Sequence, residues 1–358
     1  MKIKEQGTCA HRCSSLLKKI SVLILITILV PSLIAPAGAK SIYDPYYTKA
    51  QKLEMWKTLF SRPNCSSQIV GYTYLNKPIY AFTCGNPAGG RVLWDAEIHG
   101  SEENGGMILY LLAEWLVTSN SSTARSILKN NYIMFVPIVN YDSTTRDNAN
   151  LTIGRYGVDL NRNFFNGWAK GNKYNDTYPG PNPGSEPETR VLRSLFERFK
   201  PTFYTNLHVG TGPVILYYRE SNSTIVNQVF SNMTSLSSDL NVSSYPTHAI
   251  GSDGYAIGDA YDLGIPFTCM IEAVGRNEAW IYTSEVYQKL VTVYEPKCRA
   301  LFIAQCQFLG SPDGISADGD VPVTQDLLLE WWIWTLFVIL VVSVLVIKSM
   351  KNKLYTRT

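Results

Sequence analysis

The chain has 358 residues, with 32 Lys and Arg against 29 Asp and Glu, a formal net charge of +3. That small excess forms no basic stripe, which argues against a nucleic-acid partner. Charged residues make up only 17% of the chain, below the roughly 25% of ordinary soluble proteins; Asn, Ser, Thr and Tyr carry much of the polarity instead, as on a glycosylated surface.

In chain order, residues 1–39 read as a secretory leader. Lys2, Lys4, Arg12, Lys18 and Lys19 make a basic start, residues 20–33 are apolar, and Ala37-Gly38-Ala39 offers a cleavage site. An uncleaved anchor is the alternative, disfavoured by Pro31 and the Ala-Pro-Ala-Gly run. A helix is predicted over 48–60, and two strands over 67–83 around Asn76-Lys77-Pro78. Residues 91–98 partly alternate apolar and polar like a strand, and residues 105–116 are apolar at helical spacing. His99-Gly100-Ser101-Glu102 therefore falls where a strand gives way to a helix. A second apolar strand, 131–139, ends at Asn140, and residues 141–184 are loop-like.

A helix is predicted from Ser185-Glu-Pro-Glu188 to about residue 200, with Ser185 as cap, Glu188 completing a capping box and Pro187 in the first turn. Strand 202–207 ends at His208, a polar helix spans 225–240, and strand 265–271 ends at Glu272. The last helix covers 284–309 with an interruption near Pro296, and 311–326 is a linker. Residues 327–347 are long and apolar enough to cross a bilayer, with Trp331, Trp332 and Trp334 at the headgroup level. Lys348, Lys351, Lys353 and Arg357 mark 348–358 as a cytoplasmic tail. A buried helix of a soluble domain is the competing reading of that segment.

Seven N-x-S/T acceptor sites, at Asn64, Asn120, Asn150, Asn175, Asn222, Asn232 and Asn241, agree with an extracellular middle. Of the cysteines beyond the leader, Cys65 and Cys84 flank a hairpin-like stretch and are able to pair in an oxidising compartment. Cys298 and Cys306 are about 12 Å apart along one helix, too far to bridge. Cys269 reads as a buried thiol in an apolar strand. Strands alternating with helices over residues 40–310 imply one α/β domain, with a parallel or mixed sheet covered on both faces. The polar ends of its strands would converge on one rim.

Four histidines are present, and His11 belongs to the leader. His99, Glu102 and His208 make a two-His, one-carboxylate set with a fourth position open to water, the composition of a catalytic zinc site. Each alone is ordinary: a single His after a strand is more often a satisfied core residue than a ligand. Glu272, closing an apolar strand, is costly unless paired or employed, and a carboxylate beside a metal site is able to take a proton from water. In Gly157-Val-Asp-Leu-Asn-Arg-Asn-Phe164, Asn161 and Arg162 form a fork of donors suited to a carboxylate. Asp159 is able to hold the second nitrogen of a metal-binding His.

Together these pieces resemble the M14 zinc carboxypeptidases. The resemblance rests on H-x-x-E at 99–102, G-V-D-L-N-R-N-F at 157–164, Tyr178-Pro-Gly with Ser185-Glu-Pro-Glu188, His208, and Gly264-Ile265 leading to Glu272, in family order over residues 45–310. It implies a mixed, mostly eight-stranded sheet, and one Zn²⁺ on His99, Glu102 and His208. It makes Glu272 the base and proton donor, Asp159 the partner of His99, and Asn161 and Arg162 the site of the substrate's terminal carboxylate. Arg146 falls where the family faces an arginine to the oxyanion, with Arg155 a weaker substitute. Tyr255 and Tyr245, with His248 between them, both compete for the family's mobile tyrosine. Asn140-Tyr-Asp-Ser143 departs from the family's N-P-D-G turn. Asp253, Asp259 and Asp262 lie near the expected selectivity pocket, as do Gly251, Gly254 and Gly258; an inward acid would favour basic residues and open space an apolar one.

The expected function is a zinc exopeptidase acting on peptide and protein C-termini, single-pass in the cell membrane with its catalytic domain outside. An amidase of the same fold acting on cell-wall or N-acyl amino acid conjugates is the alternative, and a zinc-lacking surface binding module a third.

Overall fold

A computed structural model describes residues 47–151 and 155–310. The leader over 1–39, the linker over 311–326, the span over 327–347 and the tail over 348–358 lie outside the described residues. Among the described residues, no helix is long and apolar enough to cross a membrane.

Helix α1, Lys49–Leu59, begins where predicted because Thr48 and Gln51 form a reciprocal capping box. Strands β1 (Cys65–Tyr72) and β2 (Pro78–Gly85) pair antiparallel. Cys65 and Cys84 stand directly opposite each other in that ladder, as free thiols. Strand β3 (Gly90–Ala96) leads through the His99 turn into α2 (Glu103–Thr118). Helix α3 (Ser122–Asn130) was not legible in the sequence: its apolar face is short, with only Ala124 and Ile127 buried. Strand β4 (Asn131–Val136) follows, and the described residues of the long loop after it include a 3₁₀ turn, Leu160–Arg162.

Helix α4 (Pro187–Phe199) carries Pro187 in its first turn. Its cap, however, is Glu186 rather than Ser185, and no side chain caps it. Ser185 instead donates to Glu186 Oε1 (2.8 Å), and Glu188 Oε1 accepts from Tyr74 N (2.9 Å). Strand β5 (Phe203–His208), strand β6 (Val214–Tyr218), α5 (Ser223–Asp239), β7 (Thr247–Ile250), α6 (Ala256–Asp262) and β8 (Phe267–Glu272) complete the sheet region. The C-terminal helical stretch is broken as expected: α7 (Ser284–Lys289) passes through a π turn, Leu290–Tyr294, into α8 (Glu295–Leu309). A π turn shifts the hydrogen-bond register where Pro296 cannot donate.

The eight strands form one mixed sheet in the order β1-β2-β4-β3-β5-β8-β6-β7. β4, β3, β5 and β8 run parallel at its centre, and two apolar clusters cover its faces. One, around Trp56, Trp94, Leu112 and Phe302, is built from α1, α2, α5 and α8; the other, around Leu93, Phe196 and Tyr204, is built from α4 and α6. Parallel strands buried on both sides bring their carboxyl ends to one rim, where ligand sites form. His99 lies just past β3, His208 ends β5 and Glu272 ends β8.

Six of the seven glycosylation motifs have exposed asparagines. Asn150 is the exception: it is buried, and its amide donates to Glu186 Oε2 (3.0 Å).

A candidate metal centre at the carboxyl rim

The turn after β3 is held from both sides. Glu97, at φ +53°, is fully buried; Lys52 pairs with it at 2.5 Å, and Lys49 lies 3.8 Å away. Lys49 Nζ also donates to Asn140 O (2.6 Å) and to Ser143 O. Burial lowers the Lys49 pKa, partly offset by Glu97. Gly100 is required here by close approach, since a Cβ would sit 2.1 Å from Ser143 O. Helix α1 thus clamps the loop whose sequence, Asn140-Tyr-Asp-Ser143, departs from the family's turn.

His99, Glu102 and His208 converge, their ligand atoms all within 4.8 Å of one another and all three residues buried. No second such group occurs among the described residues. Two His nitrogens and one carboxylate oxygen are the ligand types of a catalytic zinc shell with a fourth position open. Glu102 holds both imidazoles at Nδ1, one with each oxygen: His99 Nδ1 lies 2.7 Å from Oε1, and His208 Nδ1 2.9 Å from Oε2. Their opposite nitrogens are committed elsewhere. His99 Nε2 faces Asp159 Oδ1 at 3.0 Å. His208 Nε2 lies against Asn206 Oδ1, whose amide donates to the buried Asp95, and 3.2 Å from the amide nitrogen of Asn161. The Asp159 carboxylate behind His99 favours the proton on Nε2 and leaves Nδ1 free to ligate. Two imidazoles and a carboxylate converging on one position form a donor set that fits a divalent cation and matches zinc.

The electrostatics agree. Burial opposes charge on every group, yet Glu102 and then Asp159 raise the His99 pKa to about 9. Against the same burial, His99 and then His208 hold Glu102 at about 2. This is how a site behaves when negative charge is gathered around one cation-sized position. Burial raises Asp95 to about 6, against donation from Asn206 and Tyr204. Asn206 was missed in the sequence; its signal was position, two residues before His208 and so on the same face of β5.

A cavity of about 640 Å³ opens over this centre. His99, Glu102, His208, Glu272, Arg146, Asn161, Arg162 and Tyr255 all line it. Glu272 is the ladder neighbour of His208 in the parallel β5–β8 pair, and its Oε2 accepts from Thr211 N (3.1 Å). Asp159 sits behind the wall, fully buried, and binds Arg146 Nη2 at 2.6 Å through the oxygen that His99 does not use. Arg162 donates to Asn161 O (2.8 Å) and lies over the Tyr255 ring at 4.5 Å. Asn161 Oδ1 accepts from Ala256 N (3.0 Å), which ties the 3₁₀ turn to the start of α6.

Several candidates stand elsewhere. Tyr245 is buried, its hydroxyl donating to Ala273 O (3.0 Å), so it has no reach into the cavity. His248 lies on the edge strand β7, and Arg155 packs on Tyr156 outside the cavity. Asp259 is bound through both oxygens by Arg193 at 2.6 Å, and Asp262 by Asn166 at 2.7 Å. Asp253 alone of the three lines the cavity. Arg219, Arg276 and Trp280 also line it; nothing in their sequence neighbourhoods marks them.

A family model described as zinc carboxypeptidase matches residues 53–305. The chain is 27% identical over 243 residues to human carboxypeptidase O, an alignment covering 58% of this chain and 64% of that protein. It is 26% identical over 180 residues to mouse carboxypeptidase A6, covering 44% and 41%. The match thus spans less than two thirds of these relatives' length. Among solved structures, thrombin activatable fibrinolysis inhibitor superposes with a TM-score of 0.64 at 17% identity, covering 77% of this chain and 80% of that one. Carboxypeptidase A from Helicoverpa armigera gives 0.61 at 18%, covering 80% and 82%. At those identities the structural likeness speaks for the fold.

Proposed function

The chain belongs to the zinc carboxypeptidase family, and from that membership we propose that it is a zinc-dependent exopeptidase that removes the C-terminal residue of extracellular peptides or proteins. The observation that carries this reading is the grouping of His99, Glu102 and His208 with Glu272, Arg146 and the Asn161–Arg162 pair around one cavity. His99, Glu102 and His208 would hold the zinc ion. When bound, zinc supplies Lewis acidity to the scissile carbonyl and acidifies the attacking water.

The chain's own groups do the rest. Arg162 and Asn161 bind the substrate's terminal carboxylate, which sets the scissile bond one residue from the end. The Tyr255 ring beneath Arg162 supports that guanidinium. Glu272 accepts a proton from the attacking water through the oxygen not engaged by Thr211, then delivers it to the departing amine. Arg146, steadied by Asp159, faces the developing oxyanion, a donor role worth about 3 kcal/mol in comparable sites.

The cellular setting is part of the proposal: a leader over 1–39, a membrane span over 327–347 and glycans on the six exposed motifs would make this a single-pass ectoenzyme.

The test is release of free C-terminal residues from a peptide mixture by the purified zinc-loaded chain, followed by mass spectrometry. Arg162→Ala should raise KM for free-acid peptides by roughly tenfold or more, while the slow cleavage of C-terminally amidated peptides stays near its starting value. Equal loss on both would remove Arg162 from the carboxylate site.

A further inference from the structure

The cavity carries positive charge that the exopeptidase reading does not use. Besides Arg146 and Arg162, its wall includes Arg219 and Arg276, and among the described residues neither has a carboxylate within ion-pairing distance. Two of the three acids near the expected selectivity pocket are engaged elsewhere: Asp259 is paired with Arg193 and Asp262 is held by Asn166. Among the described residues, that leaves the exposed Asp253 as the one acid lining the cavity besides Glu102 and Glu272.

Arg219 has a built position. It follows directly on β6, and its backbone N–H donates to Ile250 O (2.9 Å) at the end of β7. Its guanidinium lies against the backbone of Gly251: a Cβ added there would stand 2.1 Å from Nη2. Gly251 is thus the gap that admits the guanidinium, rather than room for a bulky apolar side chain. Beside it, Leu216 and Met270, paired across β6 and β8, and Ile250 give the cavity an apolar wall. A short aliphatic stem against that wall, ending in a carboxylate at the guanidinium, complements both features. A lysine or arginine side chain would meet like charge there.

We propose that the cavity selects substrates whose C-terminal residue is acidic, glutamate or aspartate, and that Arg219, seated on Gly251, is the residue that determines this specificity. The proposal rests on the exopeptidase reading and deepens it.

The experiment measures kcat/KM of the zinc-loaded full-length chain on N-acylated dipeptides ending in Glu, Asp, Gln, Leu or Lys. Gln is the neutral isostere of Glu, so the Glu-to-Gln ratio isolates the charge. That ratio should be about tenfold or more, as for other hydrogen bonds to charged groups, with Leu and Lys below Glu. Arg219→Ala should collapse the ratio toward unity, Arg219→Lys should restore part of it, and Arg219→Glu should place Lys above Glu. Gly251→Val should lower the ratio with the arginine still present. A ratio unchanged in Arg219→Ala overturns the role of Arg219. A preference for Leu or Lys in the unsubstituted chain overturns the acidic selectivity and leaves the exopeptidase reading standing. Release from none of the dipeptides overturns both.

Discussion

Replacing Glu272 with Gln is expected to leave zinc binding intact and to lower kcat by about three orders of magnitude, within the 10²–10⁴ range of a lost general acid–base group. The substitution keeps size and shape, and a Gln carbonyl oxygen still accepts from Thr211 N, as Glu272 Oε2 does now. What disappears is the capacity to take a proton and return it. Glu272 is the direct ladder partner of His208, and its side chain bonds to neither Glu102 nor His99 among the described residues, so the proposed metal ligands should not move. Steady-state kinetics together with metal analysis of the variant check this. Turnover within tenfold of the unsubstituted chain would remove Glu272 from the proton-transfer role.

The second large effect is opposite in kind. Glu102→Gln should lose the metal itself, and activity with it. The carboxylate is the hub of the centre: it touches both Nδ1 atoms, and Oε2 also accepts from Val209 N at 3.3 Å. Of the three proposed ligands it is the single negative one, so its neutralisation removes the main Coulombic attraction for a divalent ion. Zinc affinity should fall by at least about 100-fold, beyond the 10–100-fold that loss of an outer partner such as Asp159 brings. Competition with a chromophoric chelator gives the affinity directly. The pair of substitutions separates the centre's two functions, since one variant keeps zinc without chemistry and the other loses both.

The parts of this site that were legible in the sequence are those where a periodicity changes. The alternation of β3 yields to the helical spacing of α2 at His99 and Glu102, and apolar β5 and β8 each end on a single polar residue, His208 and Glu272. Such boundaries report the rim of a parallel sheet without any contact information. The two strands at the β7 end of the sheet were not legible: β7 is four residues long and half exposed, so it offers no buried stripe to detect, and β6 follows a Gly-Pro turn that reads as loop. The strand predicted over 131–139 ends early, at Val136; its last apolar residues, Ile138 and Val139, are buried in the loop approaching the Lys49 clamp. Lys49, Asn206 and Arg219 act through partners 91, 111 and, for the Gly251 contact, a neighbouring strand away. No local pattern encodes those contacts; they exist only once the sheet order is set.

One measurement addresses the metal centre without relying on activity. Crystals of the chain grown with zinc, with diffraction recorded on both sides of the zinc absorption edge, should give an anomalous peak between His99 Nδ1, His208 Nδ1 and the Glu102 carboxylate, with Glu272 facing it across the cavity. A peak at another set of side chains, or none in zinc-supplied crystals, would contradict the centre on which the proposed chemistry depends.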